Sequence, residues 1–204
     1  MPPSPDSIPR FTRAESWVHR STSLLVAVLL ATGAVLYDES LAVAVGRRPL
    51  MAEIHVVAGV LLAVPTALAL LLSPAFRHDV AQLGRFGPDD WTWLRRKDRR
   101  VALLRVGKFN AGQKVAASVV AGAGLVLLGS GLLLLAPLQV DLPDRIREGA
   151  TFTHDVFTFG LLALLLGHAW QAWRHPEARH AMRTGTVDRE YAEREHPAWA
   201  AAPD

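Results

Sequence analysis

The chain has 204 residues, half of them hydrophobic, and a formal net charge of +3 at pH 7. Its apolar residues come in long blocks rather than alternating with polar ones, which is typical of segments that lie in lipid. Cysteine is absent, and this excludes iron–sulfur clusters, covalently attached c-type haem, thiolate zinc sites and disulfides.

Four apolar blocks each have about the twenty residues that a helix needs to cross a bilayer. They predict an all-α fold, an integral membrane four-helix bundle. The predicted spans are 17–37, 54–72, 115–135 and 152–173. A signal peptide is the alternative for the first block, but that block is longer than the apolar region of a signal peptide and carries His19 at its start.

The distribution of basic residues predicts which span ends face the cytoplasm. Only four of them, Arg47, Arg48, Arg145 and Arg147, lie in the two short connections, and the other eighteen lie near the termini or in the middle connection. By the positive-inside rule we expect both termini in the cytoplasm. The predicted parts are a cytoplasmic N-terminal segment 1–16, a four-helix transmembrane domain 17–174 with a cytoplasmic loop 73–110, and a cytoplasmic tail 175–204.

A basic run lies in the middle connection. It consists of Arg95, Arg96, Lys97, Arg99 and Arg100. Beside a membrane such a run binds lipid headgroups and retains its segment in the cytoplasm. The positive charge therefore requires no nucleic-acid partner.

Four histidines lie in or beside the apolar blocks: His19, His55, His154 and His168. The last two are fourteen residues apart, which puts both rings on one face of a helix about 21 Å apart along its axis. In the predicted orientation His19 and His168 lie near the inner face, and His55 and His154 near the outer face. Intramembrane ionisable groups are costly and usually functional. The two pairs predict two haem irons with two imidazole ligands each, although a single one of these histidines could instead cap a helix.

Glycine positions suggest room for a flat group. Gly33 follows His19 by fourteen residues and lies on the same face, where a missing side chain would let a porphyrin approach; helix packing is the alternative. Four glycines of the third span form two rows at heptad spacing and are expected to serve helix packing: Gly122, Gly124, Gly129 and Gly131. Pro65 is predicted to kink the second helix.

Other polar residues have simpler interpretations. We predict that four histidines are solvated at the surface: His78, His175, His180 and His196. Asp155 follows His154 and either faces water at the membrane rim or accepts a hydrogen bond that orients a ligand.

The segment at 106–114, VGKFNAGQK, resembles the sequence before the third membrane helix in the gamma subunit of bacterial respiratory formate dehydrogenase, the dihaem cytochrome b of the nitrate-inducible type. The segment at 185–199, GTVDREYAEREHPAW, resembles the cytoplasmic C-terminus of the same family. With WVHR around His19 and EIHVVAG around His55, the resemblance covers about residues 10 to 200. The histidine pattern by itself also suits hydrogenase cytochromes.

The resemblance implies two haem b groups and a quinone site. The ligands would be His55 and His154 for the haem near the periplasm, and His19 and His168 for the haem near the cytoplasm. Three further residues match positions that line a menaquinone pocket beside the inner haem: Asn110, Gly112 and Gln113. Lys108 and Lys114 lie nearby and are expected to favour a negatively charged reduced form. A helix N-cap is the alternative for Asn110, and both roles are compatible.

The resemblance also implies partners and a location in the bacterial inner membrane. A periplasmic iron–sulfur beta subunit would pass electrons through the two haems to menaquinone, with proton uptake from the cytoplasm. Formate oxidation would occur in a separate molybdenum or tungsten alpha subunit, and the whole complex would form a trimer. The alternatives are a cytochrome b subunit of a hydrogenase or of another periplasmic dehydrogenase, and a haem-free membrane anchor or transporter. Transporters usually show broken helices and internal repeats, which the sequence does not reveal.

Overall fold

The computed structural model describes residues 6–96, 105–135 and 142–201. It confirms the all-α membrane fold, because four helices are long and apolar enough to cross a membrane: Arg13–Tyr37, Arg48–Leu72, Ala111–Leu135 and Asp144–Arg174. In chain order the elements are β1 (Ser7–Pro9), α1 (Arg13–Tyr37), α2 (Glu39–Val45), α3 (Arg48–Leu61), α4 (Ala63–Leu72), α5 (Pro74–Leu83), α6 (Pro88–Arg95), α7 (Ala111–Leu135), α8 (Asp144–Arg174), α9 (Pro176–Thr184), β2 (Thr186–Asp188), α10 (Arg189–Glu195) and α11 (Pro197–Ala200).

The four long helices end close to the predicted residues but begin earlier than predicted. Hydropathy does not register the residues that start a helix. In α1, the Thr12 hydroxyl accepts from the Glu15 N–H while the Glu15 carboxylate accepts from the Thr12 N–H, which is a capping box. In α3, Pro49 lies in the first turn, where a proline fits a helix without a side-chain cap, and His55 lies two turns inside that helix, after Arg48, rather than at its start.

Pro65 lies near the junction of α3 and α4, and the kink predicted there stays a prediction. The two helices meet at Leu62, whose backbone is itself α-helical and whose N–H donates to the Ala58 carbonyl. A proline has no N–H to donate to the carbonyl four residues earlier, and here that carbonyl belongs to Leu61, at the end of α3.

The chain divides into two compact units. Unit 1 comprises Met1–Ser16, Ala75–Gly124 and Thr158–Asp204, and unit 2 comprises Trp17–Pro74 and Leu125–Phe157. Of the basic run, Arg95 and Arg96 are exposed. Lys97, Arg99 and Arg100 lie outside the described residues.

In unit 1 the N-terminal segment and the C-terminal tail fold together into a terminal cap, residues 6–11 and 176–201. Strands β1 and β2 pair antiparallel, with Ile8 opposite Val187. A cluster of buried side chains holds the cap together: Ile8, Ala181, Val187, Tyr191, Ala192, Trp199 and Ala200. Removing these apolar groups from water stabilises the cap.

Gly185 makes the turn that joins α9 to β2. Its φ is +84°, and a Cβ there would lie 2.6 Å from the carbonyl oxygen of Phe11. The Gly185 carbonyl accepts hydrogen bonds from the N–H groups of Arg10 and Phe11, at 2.7 and 3.0 Å. A left-handed conformation and this close approach both require glycine.

The cap corrects the prediction for His196. That side chain is 2% exposed, not solvated. Its Nδ1–H donates to the Gly107 carbonyl at 2.9 Å, and its Nε2 accepts from Arg10 Nη2 at 2.8 Å. Burial, together with the neighbouring Arg10 charge, lowers the pKa of His196 to about 4. The other three histidines of that group are exposed, as predicted: His78, His175 and His180.

Candidate functional site

In unit 2, His55 of α3 and His154 of α8 face each other. Their ring centroids lie 6.2 Å apart, with 63° between the ring planes. Metal–imidazole nitrogen bonds are about 2 Å long, so two rings that ligate one ion from opposite sides have centroids about 6 Å apart. The pair is therefore spaced to hold a metal between its two rings.

The hydroxyl of Thr32 sets the tautomer of His55. It donates its proton to the Val28 carbonyl one turn earlier, at 2.7 Å, and lies 2.9 Å from His55 Nδ1. Because that proton is already donated, the hydroxyl oxygen must accept from Nδ1–H. This leaves His55 Nε2 unprotonated, the form that binds a metal.

Ser130 does the same for His154. Its hydroxyl donates to the Val126 carbonyl at 2.8 Å and lies 2.9 Å from His154 Nδ1. The acceptor that orients His154 is thus Ser130 rather than the neighbouring Asp155, and the location of Asp155 at the membrane rim stays a prediction.

A glycine next to each hydroxyl makes room for each ring. A Cβ at Gly33 would lie 3.4 Å from His55 Cε1, and a Cβ at Gly131 would lie 3.4 Å from His154 Cε1. Gly33 therefore borders the ring of His55, and the porphyrin contact expected for it stays a prediction.

Three other glycines of α7 differ from Gly131. A Cβ on any of them would meet no heavy atom within 4 Å among the described residues: Gly122, Gly124 and Gly129. The helix packing predicted for these three is thus not seen in the described part of the chain.

The two halves of this site repeat one arrangement. Thr32–Gly33 on α1 serves His55 on the following span, and Ser130–Gly131 on α7 serves His154 on the following span. Sequence analysis missed this repeat and the two hydroxyls. The available signal was a hydroxyl residue followed by glycine, placed 23 and 24 residues before the two histidines.

With two imidazoles as the protein ligands, the site favours a metal bound within a group that supplies its other ligands. Over residues 6–96, 105–135 and 142–201, no three His, Cys, Asp or Glu side chains converge to hold a metal ion. A porphyrin supplies four nitrogens in a plane and leaves two axial positions for imidazoles. Two opposed imidazoles, each with glycine beside it, fit that group.

His19 and His168, the predicted inner pair, lie in different compact units. His19 lies in the second turn of α1 in unit 2, and His168 lies on α8 in unit 1; both side chains are exposed. Since α8 is continuous from Asp144 to Arg174, His154 and His168 do share one helix, as predicted. Their fourteen-residue spacing corresponds to about 21 Å along its axis. The pairing of His19 with His168 stays a prediction.

Asn110 and Gln113 form a reciprocal N-cap of α7. The Asn110 N–H donates to Gln113 Oε1 and the Gln113 N–H donates to Asn110 Oδ1, both at 2.9 Å. Each amide oxygen is engaged, and within the described part of the chain neither side-chain NH₂ has a hydrogen-bond acceptor, so both groups can donate to a ligand. Gly112 lies under Trp93, because a Cβ there would be 3.0 Å from Trp93 Cη2. The N-cap alternative is confirmed, and the quinone role stays a prediction.

The two lysines beside this cap are paired with carboxylates within the chain. Lys108 Nζ lies 2.6 Å from Asp79 Oδ2 and 3.6 Å from Glu15 Oε1. Lys114 Nζ lies 2.8 Å from Asp90 Oδ2. Their charges are therefore balanced by these carboxylates, which sequence analysis did not foresee.

Asp79, Glu15 and Lys108 form a buried charged cluster in unit 1. Their relative exposures are 4%, 8% and 8%. Burial, and then the hydrogen bond and charge of Glu15, raise the pKa of Asp79 to about 7 against the opposing effect of Lys108.

Two comparisons with known proteins bear on this site. The sequence profile of the family described as prokaryotic cytochrome b561 matches residues 10–185. A search of curated proteins finds no match.

Proposed function

The chain belongs to the prokaryotic cytochrome b561 family, and on that premise we propose that it is the quinone-reducing subunit of a membrane-bound formate dehydrogenase. As a member of this family it is a multi-pass inner-membrane protein that binds haem b and transfers electrons. Family membership argues against the haem-free anchor or transporter.

The facing pair His55 and His154 carries the proposal. Bound haem supplies a reversible one-electron carrier. The two imidazoles would hold its iron from opposite sides, and their 6.2 Å spacing suits that role. Thr32 and Ser130 would keep both Nε2 atoms unprotonated toward the iron.

A second haem b would bind between His19 and His168. The shared helix α8 supports this, because it carries His154 and His168 on one face at a spacing suited to two stacked groups. With both termini in the cytoplasm, the outer haem would lie near the periplasm and the inner haem near the cytoplasm.

Menaquinone would be reduced at the start of α7. The free NH₂ donors of Asn110 and Gln113 suit a quinone carbonyl, and the resemblance of VGKFNAGQK to the formate dehydrogenase gamma subunit supports the assignment. Electrons would arrive from a periplasmic iron–sulfur beta subunit, served by a molybdenum or tungsten alpha subunit in a trimeric complex. Each electron moved inward against 100 mV stores about 2.3 kcal/mol.

Haem stoichiometry tests the two pairs. In the purified chain, His55→Ala and His154→Ala should each remove the same one of two haems, and His19→Ala and His168→Ala the other, as measured by pyridine haemochrome assay. His180→Ala, an exposed histidine, is the matched control. Full haem content in any of the four variants would contradict the ligand assignment.

The electron donor is tested in native membranes. If the partner is a formate dehydrogenase, formate should reduce the haems and the iron–sulfur and catalytic subunits should co-purify with the chain. Reduction by hydrogen but not by formate would favour the alternative, a cytochrome b subunit of a hydrogenase.

A further inference from the structure

We propose that Asp79 and Glu15, bridged by Lys108, form the proton-exchanging pair that supplies the quinone bound at the start of α7. This rests on the proposed function, since it concerns the same quinone reaction. No sequence motif predicts a role for either carboxyl group.

The first support is the placement of three charges in one buried cluster. Glu15 comes from the first turn of α1, Asp79 from α5, and Lys108 from the segment just before α7. Lys108 Nζ contacts Asp79 Oδ2 at 2.6 Å and Glu15 Oε1 at 3.6 Å. Charged side chains are rarely buried unless they are paired, and here two acids share one base.

The second support is the charge balance of the cluster. Lys108 Nζ contacts both Asp79 Oδ2 and Glu15 Oε1, and both acids are buried. Two carboxylates and one ammonium group would leave an uncompensated negative charge in a buried site, which is costly, so the two acids hold one proton between them. With that proton in place, the charges of Asp79, Glu15 and Lys108 cancel within the buried cluster.

The charges around the pair keep its proton exchangeable near neutral pH. Lys108 favours loss of the proton, whereas burial and the mutual repulsion of Asp79 and Glu15 oppose it. Arg10, buried beside Lys108, donates to the Lys108 carbonyl at 2.9 Å and adds a positive charge on the side of the cap. These effects hold the pKa of Asp79 near 7, within the range suited to proton transfer at physiological pH.

The third support is the position of the cluster next to the start of α7. Lys108 precedes the Asn110 N-cap by two residues, so the cluster adjoins the segment proposed to bind quinone. Quinone, two electrons and two protons give quinol. The haem that His19 and His168 would hold would supply the electrons one at a time. The pair would donate one proton, and the second would follow after the pair regains a proton from cytoplasmic water.

The reverse reaction tests this without the partner subunits. Reduced menadione, mixed with the purified, haem-loaded chain, should reduce the haems. The rate of haem reduction is measured by stopped-flow absorbance at a series of pH values. In Asp79→Asn the rate should fall about 10²-fold and lose its inflection near pH 7. Dithionite, which delivers electrons without protons, should still reduce that variant at the normal rate.

Two further variants complete the design. Glu15→Gln should retain the inflection but move it to lower pH, because Asp79 then keeps Lys108 and loses its acidic neighbour. Glu195→Gln, a half-exposed carboxylate paired with Arg194, is the matched control and should behave as the unchanged chain.

The outcomes separate the two proposals. If the unchanged chain is reduced by dithionite but not by reduced menadione, the quinone function fails. If reduced menadione reduces the haems and both Asp79→Asn and Glu15→Gln keep the original rate and pH profile, the proton-exchanging pair is overturned and the quinone function stands.

Discussion

Thr32 Oγ1 lies 2.9 Å from His55 Nδ1 while donating its own proton to the Val28 carbonyl. The hydroxyl is thereby fixed as an acceptor, and the ring is fixed as the tautomer with a free Nε2. Thr32 of α1 thus fixes the metal-binding tautomer of His55 on α3 without a bound metal.

Replacement of Thr32 by Val should weaken haem binding at the His55 pair. The ring would lose its acceptor and sample both tautomers, and loss of such a partner typically costs 10- to 100-fold in metal affinity. The rate of haem transfer to apomyoglobin measures this effect. Thr32→Ser, which restores the hydroxyl, should keep haem as tightly as the unchanged chain; equal haem retention in the Val variant would show that the hydrogen bond is dispensable.

A large side chain at Gly131 should displace the His154 ring. Even a Cβ would lie 3.4 Å from His154 Cε1, so Leu at this position has no room beside the ring. We expect Gly131→Leu to bind one haem fewer than the unchanged chain, as measured by absorption spectroscopy. Gly129→Leu on the same helix should keep both, because a Cβ there meets nothing within 4 Å among the described residues; similar haem loss in the two variants would contradict the assignment.

Gly185→Ala should open the terminal cap. An alanine in the left-handed region costs about 1–2 kcal/mol, and the added Cβ would overlap the Phe11 carbonyl oxygen at 2.6 Å. We expect faster tryptic cleavage after Arg189 and Arg194, detected by mass spectrometry. Gly84→Ala adds a Cβ at an ordinary 3.7 Å contact and should leave the cleavage rate unchanged.

The pH dependence of stability should reveal two opposing groups in unit 1. The pKa of His196 falls from 6.5 to about 4 on folding, so its contribution is lost as pH falls from 6.5 to 4, about 3 kcal/mol in all. The pKa of Asp79 rises from 3.8 to about 7, so its contribution is lost as pH rises over that range.

These two contributions have opposite signs between pH 4 and 6.5 in the unchanged chain. His196→Gln should therefore lose stability as pH rises from 4 to 7, and Asp79→Asn should gain it, both measured by thermal unfolding in detergent. If the unfolding temperatures of the two variants changed with pH in the same direction, the assigned signs of the two contributions would be contradicted.

Hydropathy predicted the membrane helices well because lipid imposes a length and a composition on them. The predicted ends at Tyr37, Leu72 and Leu135 agree with the structure. The beginnings do not, because a capping box such as that of Thr12 and Glu15 in α1, or a proline in the first turn such as Pro49 in α3, starts a helix before its apolar block. Depth estimates based on apolar blocks therefore placed His55 too close to its helix start.

The histidines of the outer pair were predictable from their cost in lipid, but their supporting hydroxyls were not. Thr32 and Ser130 each bond the carbonyl one turn back, which is common for such residues in apolar helices. Nothing in the local sequence shows that the same oxygen also faces a ring on another helix.

The buried cluster and the cap depend on contacts between distant residues. Glu15 and Asp79 look like surface acids in their own helices, and only the tertiary fold brings them to Lys108. Strands β1 and β2 have three residues each, too short for an alternating pattern to be recognised.

Ile8 pairs with Val187, so almost the whole length of the chain lies between two neighbouring strands. A nascent polypeptide emerging from the ribosome presents residues 7–9 long before their partner exists. The cap therefore closes only when translation is nearly complete, and a product truncated before β2 would leave Ile8 and Arg10 exposed to degradation.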